Sequence, residues 1–267
     1  NMRPNYIGSS YLESHRFDAE LIEKVIDGMK RGKAAGLDGI TAEHLQHCHP
    51  LLPSVLAKLF NLIMVHGYVP TGFGLSYTVP LQKDNIRGSK SLTVEDFRGI
   101  SISPDLSKNF EHCVFDRFSS YFVTTDNQFG FKKSMGCSHA IYSARCIINH
   151  YVAGGSTVNI CALDISKAFD RMSHVGLYVK LMKRLVPTEL LVVIENWFSK
   201  CFTCVNFVSA LSSFFQLKCG VRQGGVLSPH FFALYIDDVV NSVKSLGIGC
   251  YMRHMCMSII LYADDIV

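Results

Sequence analysis

The sequence predicts an α+β fold of one to two domains. Of 267 residues, 48% are hydrophobic and 18% charged, an ordinary globular balance with enough apolar side chains to bury a core. Several long segments space their apolar residues at helical intervals, and shorter β-branched runs stand among them. No internal repeat, low-complexity tract or clear linker interrupts the pattern.

Taken in order, "FDAELIEKVIDGMKRG" carries Phe17, Leu21, Ile22, Val25, Ile26 and Met29 on one helical face, and "LLPSVLAKLFNLIMVHG" does the same with Val55, Leu56, Leu59, Phe60 and Ile63. Both read as amphipathic helices. Between them "GKAAGLDGI", residues 32–40, is a glycine-punctuated loop, and "YTVPLQK", residues 77–83, is a short strand ending in a cation. "DNIRGSKSLTVED" is polar and reads as a mobile loop. "VNICALDI", residues 158–165, is a β-type run meeting Asp164 near its end, after which "SKAFDRMSHVGLYVKLMKRL" turns helical. "SPHFFALYIDDVVNSVKSL" opens with Ser228 as N-cap and Pro229 in the first turn, a usual helix start.

Composition excludes some classes. No run of 18 or more residues is apolar without a charge or proline, and the first residues lack the charged, apolar, small pattern of a signal peptide. The ten cysteines are scattered through apolar segments, which suits core thiols in a reducing compartment. "HLQHCH", with His44, His47, Cys48 and His49, reads as a polar helix end, because no further ligands follow at zinc spacing. Charge is uneven along the chain. Residues 128–235 hold 11 Lys or Arg against 4 Asp or Glu, the balance expected of a polyanion track.

Two stretches contain aromatic-X-Asp-Asp. "YIDD", residues 235–238, lies inside the capped helical segment, so Asp237 and Asp238 are expected on a solvated flank. "YADD", residues 262–265, follows the β-branched "MSIIL" and puts Asp264 and Asp265 where a strand must turn. With Asp164 at the end of another strand, three carboxylates could converge, and carboxylates that close repel unless cations neutralise them. Hard oxygen ligands suit Mg²⁺, and paired ions of that kind serve in-line phosphoryl transfer.

"ALDISKAFD", "GVRQGGVLSP" and "YADD", in that order, resemble the three palm motifs of reverse transcriptases. Upstream, "GKAAGLDGITAEHL", "VPLQKD", "DFRGISI", "SKNFEHCVFDRF" and "QFGFKKSMGCSHAI" resemble the blocks of the LINE-type, non-LTR retrotransposon branch, so the resemblance runs from about residue 32 to the last residue. It implies a right-hand polymerase fold of fingers and palm, the palm an antiparallel sheet backed by helices. Residues 1–31 would be an N-terminal extension helix, 32–157 a fingers-like region with part of the palm, and 158–267 the palm, stopping before the thumb. Departures are Gly99 where the family usually has proline and His139 where an acidic residue is usual.

The resemblance implies RNA-directed DNA polymerase activity. Asp164 and Asp264 would be metal ligands and Asp265 the supporting carboxylate, with Mg²⁺ as cofactor and Mn²⁺ as the alternative. Phe169 would be the steric gate against a ribose 2′-OH, Lys167 and Ala168 would offer backbone N–H groups to the triphosphate, Gln223 and Gly224 would contact incoming nucleotide and template, and Lys83 and Arg98 would be the fingers cations. The partners implied are an RNA template, a DNA primer and dNTPs, with no membrane, in cytoplasm and nucleus. An intron-maturase or telomerase-like relative, and a decayed copy that binds RNA without catalysis, are the alternatives. Two residues after "YADD" are expected to be too few to hold the turn, and the chain alone is expected to be inactive.

Overall fold

Asp18 opens the first helix, α1 (Ala19–Gly28), by accepting the Leu21 N–H at 2.8 Å, which satisfies one of the donors a first turn leaves without a partner. The computed structural model describes residues 5–83, 92–208, 210–252 and 255–267. The stretch 84–91 of the expected mobile loop therefore lies outside the described residues. Two units form, one from Asn1–Tyr121 with Ser173–Ser228 and the other from Phe122–Met172 with Pro229–Val267.

In the first unit α1 is followed by α2 (Ala42–Gln46), α3 (Leu52–His66) and α4 (Thr71–Gly74). His44 sits at the third position of α2, where its Nδ1 accepts the Thr41 N–H at 3.0 Å; the "HLQHCH" cluster thus begins as a helix cap. β1 (Leu75–Gln82) pairs antiparallel with β2 (Phe97–Ile102) in the register Tyr77↔Ile102 to Gln82↔Phe97. After α5 (Asp105–Phe118) the chain leaves this unit.

In the second unit come α6 (Cys137–Ala153), β3 (Leu163–Asp164) and α7 (Ala168–Arg171). His139 is the third residue of α6 and its Nδ1 accepts the Gly136 N–H at 3.0 Å, so an imidazole does there what a carboxylate would do. The eight-residue β-type run expected at 158–165 yields only the two paired residues of β3. Its ladder partner β10 (Asp265–Ile266) is itself two residues long, and residues 159–164 lie exposed.

The first unit resumes with α8 (His174–Lys183) and α9 (Thr188–Ser199). The single helix expected after Asp164 is broken, because Met172 takes extended backbone at φ −62° and ψ 125° and Ser173 starts α8 anew by accepting the Gly176 N–H at 3.2 Å. β4 (Phe202–Phe207) pairs parallel with β1 and antiparallel with β5 (Ala210–Leu211) and β6 (Phe215–Gln216), giving the order β2-β1-β4-β5. Against this sheet's helices Phe17, Phe60, Phe73, Phe110 and Trp197 form an aromatic core, with Phe60 and Phe110 centroids 4.9 Å apart and Phe110 and Trp197 5.6 Å apart.

Helix α10 (Ser228–Ser245) leads back to the second unit, which ends in β7 (Tyr251–Met252), β8 (Met255–Cys256), β9 (Leu261–Tyr262) and β10 (Asp265–Ile266). Strand alternation distributes the "MSIIL" run over two cores. Ile259 and Leu261 join Ala168, Phe232, Ile236 and Val240, while Ile260 joins Phe129, Ala140 and Ile147. The cysteines divide: Cys113, Cys201 and Cys204 are buried, and burial pushes the Cys113 thiol up to about 12, but Cys48, Cys137, Cys161 and Cys219 are exposed, so core filler describes only some of them. Among the described residues no helix is long and apolar enough to cross a membrane.

Candidate active site

The sheet β3-β10-β9 brings the aspartates together. β9 and β10 form a hairpin in which Tyr262 faces Asp265 and Leu261 faces Ile266, with Ala263 and Asp264 as its two-residue loop. Ile260 and Val267 extend it by exchanging backbone bonds of 2.7 and 2.9 Å. The expectation that two residues beyond "YADD" cannot hold the turn is therefore not met, because three residue pairs close the hairpin.

On the other side of β10, Asp265 is the direct antiparallel partner of Asp164, and the Asp264 carbonyl accepts the Ile165 N–H at 3.3 Å. Direct partners share a face, with Cβ atoms about 4.5–5.5 Å apart, and like charges placed so are unfavourable until a cation comes between them. Asp164 and Asp265 are exposed and Asp264 is half-buried. Among the described residues no group of three His, Cys, Asp or Glu side chains forms a ready metal cage. An open pair of carboxylates nevertheless fits Mg²⁺, which takes one or two protein carboxylates and completes its shell with water and substrate phosphate oxygens.

Phe169, on α7, is half-buried; its ring stacks on Phe232 at 4.8 Å and 22° and meets Phe131 edge-on at 6.0 Å. It belongs to the fringe of the cluster around Phe232 and Ile236. Ala168 is buried in that cluster and Lys167 is exposed at the N-cap of α7.

The remaining predicted residues lie in the first unit. Arg98 is exposed on β2 opposite Leu81, and Lys83, two residues beyond Leu81, shares its face by strand alternation. The Lys83 N–H donates to the Asp96 carbonyl at 2.9 Å. The Gln223 carbonyl accepts the Ser101 N–H at 2.7 Å, tying the "RQGG" loop to the same strand. Gly224 has φ +125°, and a Cβ there would overlap the Ser101 carbonyl oxygen, so only glycine lets the loop lie so close.

Sequence reasoning missed what holds that loop. Glu111 of α5 is buried; its Oε2 accepts the Leu227 N–H at 2.8 Å and its Oε1 lies 3.8 Å from Arg222 Nη2. Burial raises the Glu111 pKa, opposed by the Arg222 guanidinium and by the Leu227 and Val226 amides. Arg222 is thus one cation of the basic stretch 128–235 that is turned inward. The "YIDD" reading also needs correction: Asp237 is fully buried rather than solvated, and its Oδ1 accepts the Thr125 N–H at 2.9 Å and the Thr125 hydroxyl at 2.8 Å. An i to i+4 apolar stripe at Phe232, Ile236 and Val240 left Asp237 beside that stripe, and only tertiary contact makes its neighbour a hydrogen-bond donor.

The sequence profile of the family described as reverse transcriptase (RNA-dependent DNA polymerase) matches residues 82–267. The chain belongs to that family. The Retrovirus-related Pol polyprotein from type-2 retrotransposable element R2DM of Drosophila melanogaster is 28% identical over 233 residues, 87% of this chain and 21% of that protein. The RNA-directed DNA polymerase from mobile element jockey of Drosophila funebris is 27% identical over 257 residues, 92% of this chain and 26% of that protein. These relatives put this reverse transcriptase chain with the LINE-type, non-LTR branch, and it spans about a quarter of their length or less. A solved apo telomerase from Candida tropicalis, truncated from its C-terminal domain, is similar at TM-score 0.43 and 13% identity, over 80% of this chain and 48% of that one. The family fold is α+β, fingers and palm, as the sequence predicted.

Proposed function

We propose that this chain is the fingers-and-palm part of an RNA-directed DNA polymerase of a non-LTR retrotransposon, adding dNTPs to a primer 3′-OH on an RNA template. The observation that carries the reading is the direct pairing of Asp164 with Asp265 beside the Asp264 turn, in a chain of the reverse transcriptase family. In this reading residues 32–157 are the fingers-like region with part of the palm, and 158–267 the palm.

Asp164, Asp264 and Asp265 would hold Mg²⁺, with Mn²⁺ as the alternative. Bound there, the ions would lower the pKa of the attacking hydroxyl and neutralise the leaving oxygen. The carboxylates themselves fix where that charge sits, because two are tied to paired strands and the third to a hydrogen-bonded turn. Phe169 excludes a 2′-OH by bulk, and the Phe232 ring stacked on it keeps it from swinging away. Lys83 and Arg98, on one face of the β1–β2 pair, neutralise triphosphate charge, and the Lys167 and Ala168 amides bind its oxygens. Gln223 and Gly224 present backbone to the nucleotide and template.

Primer extension on an RNA template with dNTPs and Mg²⁺ tests this, in this chain and in one extended by a related enzyme's remaining palm and thumb. Synthesis by the extended protein, abolished by Asp164→Asn and by Asp265→Asn with melting unchanged, is the expected result. Synthesis that survives Asp164→Asn would refute the assignment.

A further inference from the structure

Several backbone and side-chain contacts converge on the segment 125–130, and the proposed roles of the aspartates do not use them. Gln128 is fully buried, yet its side chain does not face a polar partner shell of its own: Oε1 accepts the Gly130 N–H at 2.8 Å and the Ala263 N–H at 3.3 Å. Its Nε2 has no hydrogen-bond partner among the described residues. Burying a donor in that state is unfavourable, so the position keeps a glutamine for its oxygen.

What the oxygen holds is the first loop residue of the "YADD" hairpin. Ala263 has φ +58°, and Asp264 is not among the residues of positive φ. A two-residue hairpin loop of that form takes glycine at its first position, so an alanine there is strained and needs an outside contact to fix it. The segment supplies more than one. The Leu261 N–H donates to the Asn127 carbonyl and the Phe129 N–H to the Leu261 carbonyl, both at 2.8 Å, which makes Gln128 the parallel partner of Leu261. Gly130 passes so near that a Cβ would overlap the Ala263 nitrogen. The segment is in turn held from α10, since Asp237 binds Thr125 and the Thr125 carbonyl accepts the Gln128 N–H at 3.1 Å.

We propose that Gln128 is a positioning residue, whose buried amide oxygen clamps the Ala263 N–H and thereby fixes the turn that presents Asp264 and Asp265 next to Asp164. The inference rests on the proposed catalytic role of those aspartates, but the clamp itself is measured without activity. An asparagine is one methylene short of the turn. A glutamate would keep the acceptor but bury a charge beside the turn that carries Asp264 and Asp265. Methionine keeps the shape but takes the acceptor from both the Gly130 and the Ala263 N–H groups; loss of the orphan Nε2 donor offsets part of that cost, so the turn is perturbed at about 1–2 kcal/mol of overall stability.

The test is amide hydrogen exchange on this chain, wild type against Gln128→Met, with melting measured beside it. The clamp predicts that the Ala263 amide exchanges about tenfold faster in Gln128→Met, the size of one hydrogen bond, while amides of the β1–β2 pair change much less and the melting temperature falls by only a few degrees. Mn²⁺ titration followed by electron paramagnetic resonance should show affinity falling about tenfold, as when an outer-shell partner is lost. Adding Ala263→Gly to Gln128→Met should recover most of that affinity, because glycine adopts the turn unaided. An unchanged Ala263 exchange rate, a uniform rise across the protein with lower melting, or no recovery by Ala263→Gly would each overturn the clamp. Asp164→Asn that leaves Mn²⁺ affinity intact would instead overturn the proposed metal site, with the exchange result still deciding the role of Gln128.

Discussion

Replacing Gly224 by alanine should unfold the first unit's "RQGG" anchor at a cost that the geometry sets. At φ +125° an L side chain is in a region reserved for glycine, worth about 1–3 kcal/mol. The new Cβ also overlaps the Ser101 carbonyl oxygen, and relief requires the loop to withdraw from β2, stretching the 2.7 Å Ser101–Gln223 bond at roughly 0.5–1.5 kcal/mol. The two effects share the same withdrawal and are not fully additive, so about 2–4 kcal/mol is expected. At roughly 2–4 °C per kcal/mol for a domain of this size, melting should fall by about 5–15 °C. Gly32→Ala is the control, since Gly32 has φ +71° but open space around it and should lose about 1–2 kcal/mol from conformation alone. Thermal unfolding by circular dichroism at fixed concentration reads both. If Gly224→Ala melts no lower than Gly32→Ala, the loop does not lie against Ser101 and the account of Gly224 is wrong.

Phe169→Val should cost about 1–3 kcal/mol through the emptied space beside Phe232 and, in the extended protein, let ribonucleotides in while dNTP incorporation is largely retained. Equal loss with both substrates in primer extension would mark Phe169 as packing alone. Asp237→Ala should lower stability in denaturant melts by about 2–3 kcal/mol, because two Thr125 donors lose a charged acceptor, and Asp237→Asn by less than half of that. For pH, the buried His15 ring accepts the Leu12 N–H at Nδ1 and burial lowers its pKa below 6.5. A depressed histidine favours folding in its neutral form, so its contribution is full above that value and is lost as pH falls through it toward the folded pKa. Melting temperature should drop on acidification and drop less in His15→Gln; identical pH profiles would refute the link.

The parts of this fold that were legible in the sequence are those set by local periodicity and capping. Helices α1, α3 and α10 follow from their apolar spacing, because each meets its core with one face and the pattern is written in consecutive residues, and β1 was legible as a short β-type run although its buried residue is Ser76. The "YADD" turn was legible for the same reason. The extent of β3 was not, since a strand is only as long as its partner and β10 is distant in sequence. The break between α7 and α8 depends on extended backbone at Met172, which no apolar pattern marks. The burial of Glu111 and Arg222 is not written in the local sequence, because their partners, the Leu227 amide and the Phe73 carbonyl, are backbone groups more than 100 positions away.

The two aromatic-X-Asp-Asp stretches show how one spelling takes opposite environments. On α10 the backbone donors are consumed within the helix, so Asp237, turned inward at the flank of the apolar stripe, must find its donors elsewhere and takes both from Thr125. In the hairpin the backbone is consumed by neighbouring strands, so Asp164 and Asp265 stand exposed on one face with no cationic side chain bonded to either among the described ion pairs. A buried carboxylate with two donors is a fastener, and two exposed carboxylates directly opposed are a demand for positive charge. The fastener acts on the demand, because Thr125 begins the segment whose Gln128 oxygen meets Ala263. In the second unit the motif on α10 thereby helps to hold the one in the hairpin, and Asp237→Ala should loosen Ala263 exchange as Gln128→Met does, with a larger fall in melting temperature from the loss of the Thr125 contacts.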